Sequence, residues 1–238
     1  MFKTFLRQFS IILSYLINKN YKLKKKKNNL IQSYISKKIN KIYEKNPRLL
    51  IHKNLSLEII KIIKEKKLET FLRNNFIQNI FFIHNRIFIY FELKELIKDI
   101  NWRLWKKLIK DNSVGKPIWY FLYHESTGNR IRQVYIIKKF LDLNPSIKLK
   151  NLKKIIEIGG GYGCMSDIFL KINKKINYTI YDMYEVNLLQ YYYLKMNNHN
   201  PKLNSINNKI NLINKFSDLK KFKNNTLLIA NWSISEFP

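Results

Sequence analysis

The sequence predicts an α/β protein: a mainly helical region over residues 1–115, then a doubly wound parallel sheet developing within residues 116–238. Three observations predict it. From Lys154 onward short β-type runs alternate with helix-patterned segments, and parallel strands joined by helical crossovers produce that alternation. A glycine-rich stretch, residues 159–163, separates the first such run from the first such helix. Upstream, the apolar residues keep helical spacing.

Taken in order, Phe2, Phe5, Leu6, Phe9, Ile12, Leu13 and Leu16 share one face of an amphipathic helix, too short in its apolar run to span a bilayer. Lys24 to Lys27 follow it, so a weak peripheral membrane contact through this helix is a partner reading. Leu57, Ile59, Ile60, Ile63, Leu68 and Leu72 predict a helix from Ser56 to Leu72, and Leu93, Leu96, Ile97, Ile100, Leu104 and Leu108 predict another. Between them, residues 80–91 read either as strand, turn and strand or as one buried helix. Residues 111–117, rich in breakers, mark the boundary. A helix through Ile131, Val134 and Leu141 stops near Asn144-Pro145. Then come a strand at residues 154–158, a helix from Met165 to Ile172, a strand at 177–181, a helix from Glu185 to Met196, and strands at 210–213 and 226–230.

Composition excludes some functions. Of the 238 residues 46% are hydrophobic and 14% aromatic, enough to build a core and too many for a disordered chain. The net charge of +29 would ordinarily point to nucleic acid or an anionic surface. Yet the cations are mostly Lys, Asn and Ile abound, and alanine occurs once, at Ala230, the pattern of A/T-rich codons. Charge therefore assigns no specific nucleic-acid partner. With one cysteine, Cys164, and no Cys/His cluster at zinc spacing, neither a disulfide scaffold nor a metal site is expected, and a reducing, cytoplasmic compartment fits.

The chemistry lies in Glu157-Ile-Gly159-Gly160-Gly161-Tyr162-Gly163, at a strand end and before a helix, with Asp182 closing the next strand. Glycines let the backbone turn sharply and approach a ligand, and the helix start offers free N–H groups. A carboxylate at Asp182 can accept hydrogen bonds from both hydroxyls of a ribose; the competing role is a helix N-cap. A dinucleotide fingerprint would place a glycine where Cys164 stands, which weakens the reading as a nicotinamide-dependent oxidoreductase.

The same loop, with residues 178–193 and Ala230-Asn-Trp-Ser-Ile-Ser-Glu236, resembles the sugar O-methyltransferase family of bacterial glycan clusters, a class I S-adenosylmethionine-dependent group with a Rossmann-like sheet. The resemblance covers residues 116–238. It implies S-adenosylmethionine as cofactor, with Glu157, Gly159, Gly161 and Gly163 shaping the methionine and ribose site, Gly160 and Tyr162 lining it, and Asp182 on the ribose. The acceptor it implies is a sugar hydroxyl of a surface glycan or its nucleotide- or lipid-linked precursor. No general base is identified. Glu236 and Ser233 after the last strand, and His124 with Glu125 before the sheet, are the candidates; His52, His84 and His199 have no evident partner. The family has seven strands and four are legible here, so the chain is expected to be the N-terminal part of such an enzyme, ending on an apolar edge strand. Against the methyltransferase stand two alternatives: the NAD(P)-dependent oxidoreductase, and a basic protein that binds nucleic acid or membrane without catalysis.

Overall fold

A computed structural model of the chain describes residues 9, 11–14, 16, 25–43, 53–81, 86–221 and 226–231. In chain order the helices are α1 (Lys25–Tyr43), α2 (Lys53–Lys64), α3 (Asn75–Phe81), α4 (Ile87–Lys98), α5 (Trp102–Ile109), α6 (Gly128–Leu143), α7 (Cys164–Ile172) and α8 (Tyr184–Met196). The strands are β1 (Lys154–Ile158), β2 (Asn177–Tyr181), β3 (Lys202–Leu203), β4 (Ile210–Ile213) and β5 (Thr226–Ile229). All five form one sheet in the order β3-β4-β2-β1-β5, with every neighbour parallel. The fold is therefore α/β with an all-parallel sheet. Among the described residues no helix is long and apolar enough to cross a membrane.

Two compact units divide the chain: Met1–Lys22 with Thr70–Asn151, and Leu23–Glu69 with Leu152–Pro238. The division expected at residues 115/116 is not the one observed, because residues 23–69 belong with the sheet. Their helices explain it. α1 and α2 pack on α8, which in turn packs on β3 and β4. The Tyr192 hydroxyl of α8 donates to Asn28 Oδ1 of α1 at 2.7 Å, and the ring of Tyr191 meets Tyr34 at 5.2 Å. Held between helices on one side and strands on the other, α8 is buried over most of its circumference, as its nearly continuous apolar and amide sequence requires.

Within the sheet, Ile155 and Glu157 of β1 share a face with Tyr178 and Ile180 of β2, as the pleat dictates. α7 lies over that face, its Phe169 ring 6.1 Å from Tyr178. The strand β5 pairs with β1 alone among the described residues and leaves Leu228 58% exposed, so in the described sheet it lies at an edge.

The other unit is helical. α4, α5 and α6 pack together around Leu93, Leu96, Trp105, Leu108, Ile131 and Val134. The helix expected through residues 93–108 is broken in two. The Asp99 carboxylate accepts the Asn101 amide at 2.7 Å, a local turn that competes with helical bonding. Likewise the helix expected from Ser56 to Leu72 stops at Lys64, Lys66 turns to a φ of +55°, and a 3-10 helix takes Lys67–Arg73. Of residues 80–91, those described are helical at 80–81 and 87–91 with Arg86 extended between, which fits neither the strand pair nor the single helix. Thr127 caps α6 by accepting the Arg130 amide at 3.1 Å. Of the expected N-terminal amphipathic helix, residues 9, 11–14 and 16 are described and helical; the remainder, with Lys24, lies outside the described residues.

Candidate functional site

Sheet order fixes where a ligand can sit. β1 is flanked by β2 on one side and β5 on the other, so the winding reverses at its carboxyl end, where open parallel sheets form their ligand crevice. The glycine loop follows β1 at that point. Ile158 pairs with Tyr181, and one residue further the register sets Gly159 level with Asp182. The Gly159 amide donates to the Tyr181 carbonyl at 3.0 Å, and the Asp182 amide to the Ile213 carbonyl at 3.1 Å.

Each glycine has its own reason. Gly159, Gly161 and Gly163 hold φ at +68°, +53° and +95°, the left-handed region that side chains resist. Gly160 has ordinary φ but no room: a Cβ there would stand 2.7 Å from Ile180 Cγ2 and 3.3 Å from both Glu157 Cδ and Gln190 Nε2. The loop thus lies flat on the strand ends. Tyr162 does not line its open side. Its ring turns inward and meets Tyr193 of α8 edge-on at 5.0 Å, so at that position the loop can offer a ligand only backbone.

Glu157 sits beneath the loop, 4% exposed, and its Oε2 accepts the Tyr178 hydroxyl at 2.9 Å. Burial pushes its carboxyl up to about 7, against the pull of that bond and with a further push from Asp182. Burial and the nearby carboxylate also drive the Tyr178 hydroxyl well above its usual range, which keeps it a donor. Asp182 is partly exposed at the rim, yet desolvation raises its carboxyl to about 7 as well; the Met183 amide, Gln190 and the Gly160 amide pull the other way. Its Oδ1 accepts the Met183 amide at 2.8 Å and its Oδ2 accepts Gln190 Nε2 at 2.8 Å. The N-cap of α8 is Met183, so Asp182 is not the cap that sequence offered as its rival role.

Two residues absent from the sequence reading complete the arrangement. Gln190, fully buried on α8, bridges Asp182 to the glycine loop, its Nε2 also donating to the Gly161 carbonyl at 3.0 Å. One turn earlier, Asn187 Nδ2 donates to the carbonyls of Asp182 and Ile213, tying the ends of β2 and β4. Two amides three residues apart inside an otherwise apolar helix are the signal that could have revealed them.

No candidate base lies among the described residues of the sheet unit. His124 belongs to the helical unit, where its Nε2 lies 2.8 Å from the Phe121 carbonyl. Glu236 and Ser233 lie outside the described residues, as do His52 and His84. His199 does have a partner: its Nε2 stands 2.8 Å from Oδ1 of the buried Asp167, whose other oxygen takes Lys171 Nζ at 3.1 Å. Among the described residues no group of His, Cys, Asp and Glu could hold a metal ion. Compared with family models, curated proteins and solved structures, the chain matches none.

Proposed function

We propose that the unit built on the parallel sheet binds S-adenosylmethionine and belongs to an O-methyltransferase acting on a sugar hydroxyl, with a Rossmann-like, doubly wound sheet. The observation that carries the reading is the meeting of the left-handed glycine loop with Asp182 at the reversal point of the sheet. The residues present fit that cofactor. The loop is seated so closely on Ile180, Glu157 and Gln190 that Gly160 admits no Cβ, which presents its backbone at the strand ends, and a carboxylate at the β2 end keeps a lone pair beyond those that Met183, Gln190 and the Gly160 amide occupy. The buried Cys164 at the first turn of α7 stands where a dinucleotide fold needs a glycine, which favours this reading over the oxidoreductase.

When bound, the cofactor supplies a methyl group on a sulfonium, open to in-line attack by an alcohol oxygen. The protein's contribution is mainly positional. Asp182 would accept the ribose hydroxyls, Gln190 would hold its carboxylate in register with the loop, and backbone groups of Gly159 and Gly161 would shape the methionine end. Glu157 works from below: buried, it braces β1 against β2 by accepting the Tyr178 hydroxyl.

Calorimetric titration with S-adenosylhomocysteine, with NAD as control, tests the proposal. Saturable binding of the first alone is expected, weakened about tenfold or more by Asp182→Ala, the loss of charge-assisted hydrogen bonds. Because the ionised carboxylate is the better acceptor and Asp182 titrates at about 7, affinity should fall as the pH drops through that value. Binding of NAD instead, or affinity indifferent to Asp182→Ala, overturns the assignment.

A further inference from the structure

The helical unit carries a surface that the proposed methyl transfer does not use. Along α4, Ile87, Phe91, Lys94 and Lys98 follow one another at spacings of four, three and four residues, so they form one stripe, and all four are exposed. Ile87 is 74% and Phe91 57% exposed; beside the stripe Ile97 is exposed too, and in the turn before α5 Ile100 is 98% exposed. Large aliphatic side chains so fully in water are costly, and several in one short segment mark an interaction surface.

The charges of the segment are sorted. Its three acidic residues are all neutralised from α6: Glu92 pairs with Arg132, Glu95 with Lys139 at 2.8 Å, and Asp99 with Lys138 at 3.3 Å. Glu95 also accepts the Tyr135 hydroxyl at 3.0 Å. Five exposed cations, Lys94, Lys98, Arg103, Lys106 and Lys107, have no carboxylate partner among the described residues. Random placement of lysine by base composition does not explain why each acid here, the exposed Glu95 included, is paired to a cation of α6 while the cations of the stripe are left unneutralised.

We propose that the surface formed by α4 and the start of α5 docks on an anionic lipid bilayer. Aliphatic side chains would enter the boundary between headgroups and acyl chains, and the lysine stems would lie along it with their ammonium groups among the headgroup phosphates. A second copy of the chain is disfavoured, since five like charges would face five. Nucleic acid is disfavoured because Ile87, Ile97 and Ile100 gain nothing from bases, which stack on aromatic and guanidinium planes.

The experiment is flotation of the full chain with vesicles of phosphatidylcholine alone or with about a quarter phosphatidylglycerol. Partition to the anionic vesicles only is expected. Phe91→Ser with Ile100→Ser, and separately Lys94→Gln with Lys98→Gln, should each lower the partition constant about tenfold or more, with thermal midpoints unchanged. A matched removal of charge on α1, Lys37→Gln with Lys41→Gln, should change it less than about twofold if binding is local. No binding to anionic vesicles, an equal loss in the α1 variant, or indifference to Phe91→Ser with Ile100→Ser overturns the proposal. So does tighter binding to duplex DNA that the same α4 changes abolish.

Discussion

Glu157 is a carboxyl that the fold places where its charge is costly, under a glycine loop and bonded to a tyrosine that does not ionise. Its folded-state value of about 7 lies above that of an unfolded glutamate, so the folded chain holds this proton more tightly. The resulting stability is fully present below about 4.5 and is lost as the pH rises through about 7. Glu157→Gln keeps an oxygen for the Tyr178 hydroxyl and removes the titration. At pH 8 the variant should therefore be more stable than the parent, by on the order of 2 kcal/mol, and the advantage should vanish near pH 4; urea unfolding at both values measures it. Lower stability at pH 8 would mean that the ionised carboxylate is needed. The acid, the glycines and Asp182 were legible in sequence because their spacing is local. Gln190 was not, since its bond to Gly161 joins residues 29 apart and a glutamine in a helix carries no periodic signal. Tyr162 misled for a related reason: neighbours within a motif can point to opposite sides of the backbone.

At the scale of the element, the run of three tyrosines in α8 shows how one segment serves three partners. Tyr191 meets Tyr34, Tyr192 bonds Asn28, and Tyr193 supports Tyr162 beneath the loop. Tyr192→Phe removes one buried hydroxyl and leaves Asn28 without that donor, so the chain should lose ~1 kcal/mol. Chemical denaturation of the variant checks this, and an unchanged midpoint would show that α1 is held by its apolar contacts alone. The strands β1, β2 and β4 were legible to the residue, because short apolar runs between breakers are what a buried parallel strand demands. β3, two residues long, carries no such run. α1 escaped notice because its buried stripe is Asn28, Gln32, Ile35 and Ile39, half of it amides, so hydrophobic periodicity fades where the helix turns its polar groups inward. The break between α4 and α5 was hidden by the opposite effect: apolar spacing continues through residues 97–104 while the Asp99 turn interrupts the backbone.

For the whole molecule, a net charge of +29 acts against compaction in both units. Screening should relieve it. Raising sodium chloride from about 0.01 to about 0.1 M shortens the screening length from about 30 to about 10 Å. The thermal midpoint should then climb by about 2 to 4 °C for each kcal/mol of repulsion removed. A midpoint that fell with salt would show that ion pairs such as those of Glu95 and Asp99 outweigh the repulsion. The α/β class and the place of the candidate site were readable from the second half of the sequence, but the membership of residues 23–69 in the sheet unit was not, because nothing local to α1 and α2 says which distant helix will cover them.

That membership sets a schedule. Asn28 and Tyr192 are separated by 164 residues, and a ribosome adding ~5 to 20 residues each second needs about 8 to 33 s to deliver the second after the first. For that interval Ile35 and Ile39 have been synthesised and their covering helix has not, while the intervening residues 70–151 emerge complete. The oldest part of the sheet unit must wait in the open for α8, and any chaperone that serves this chain has its window there.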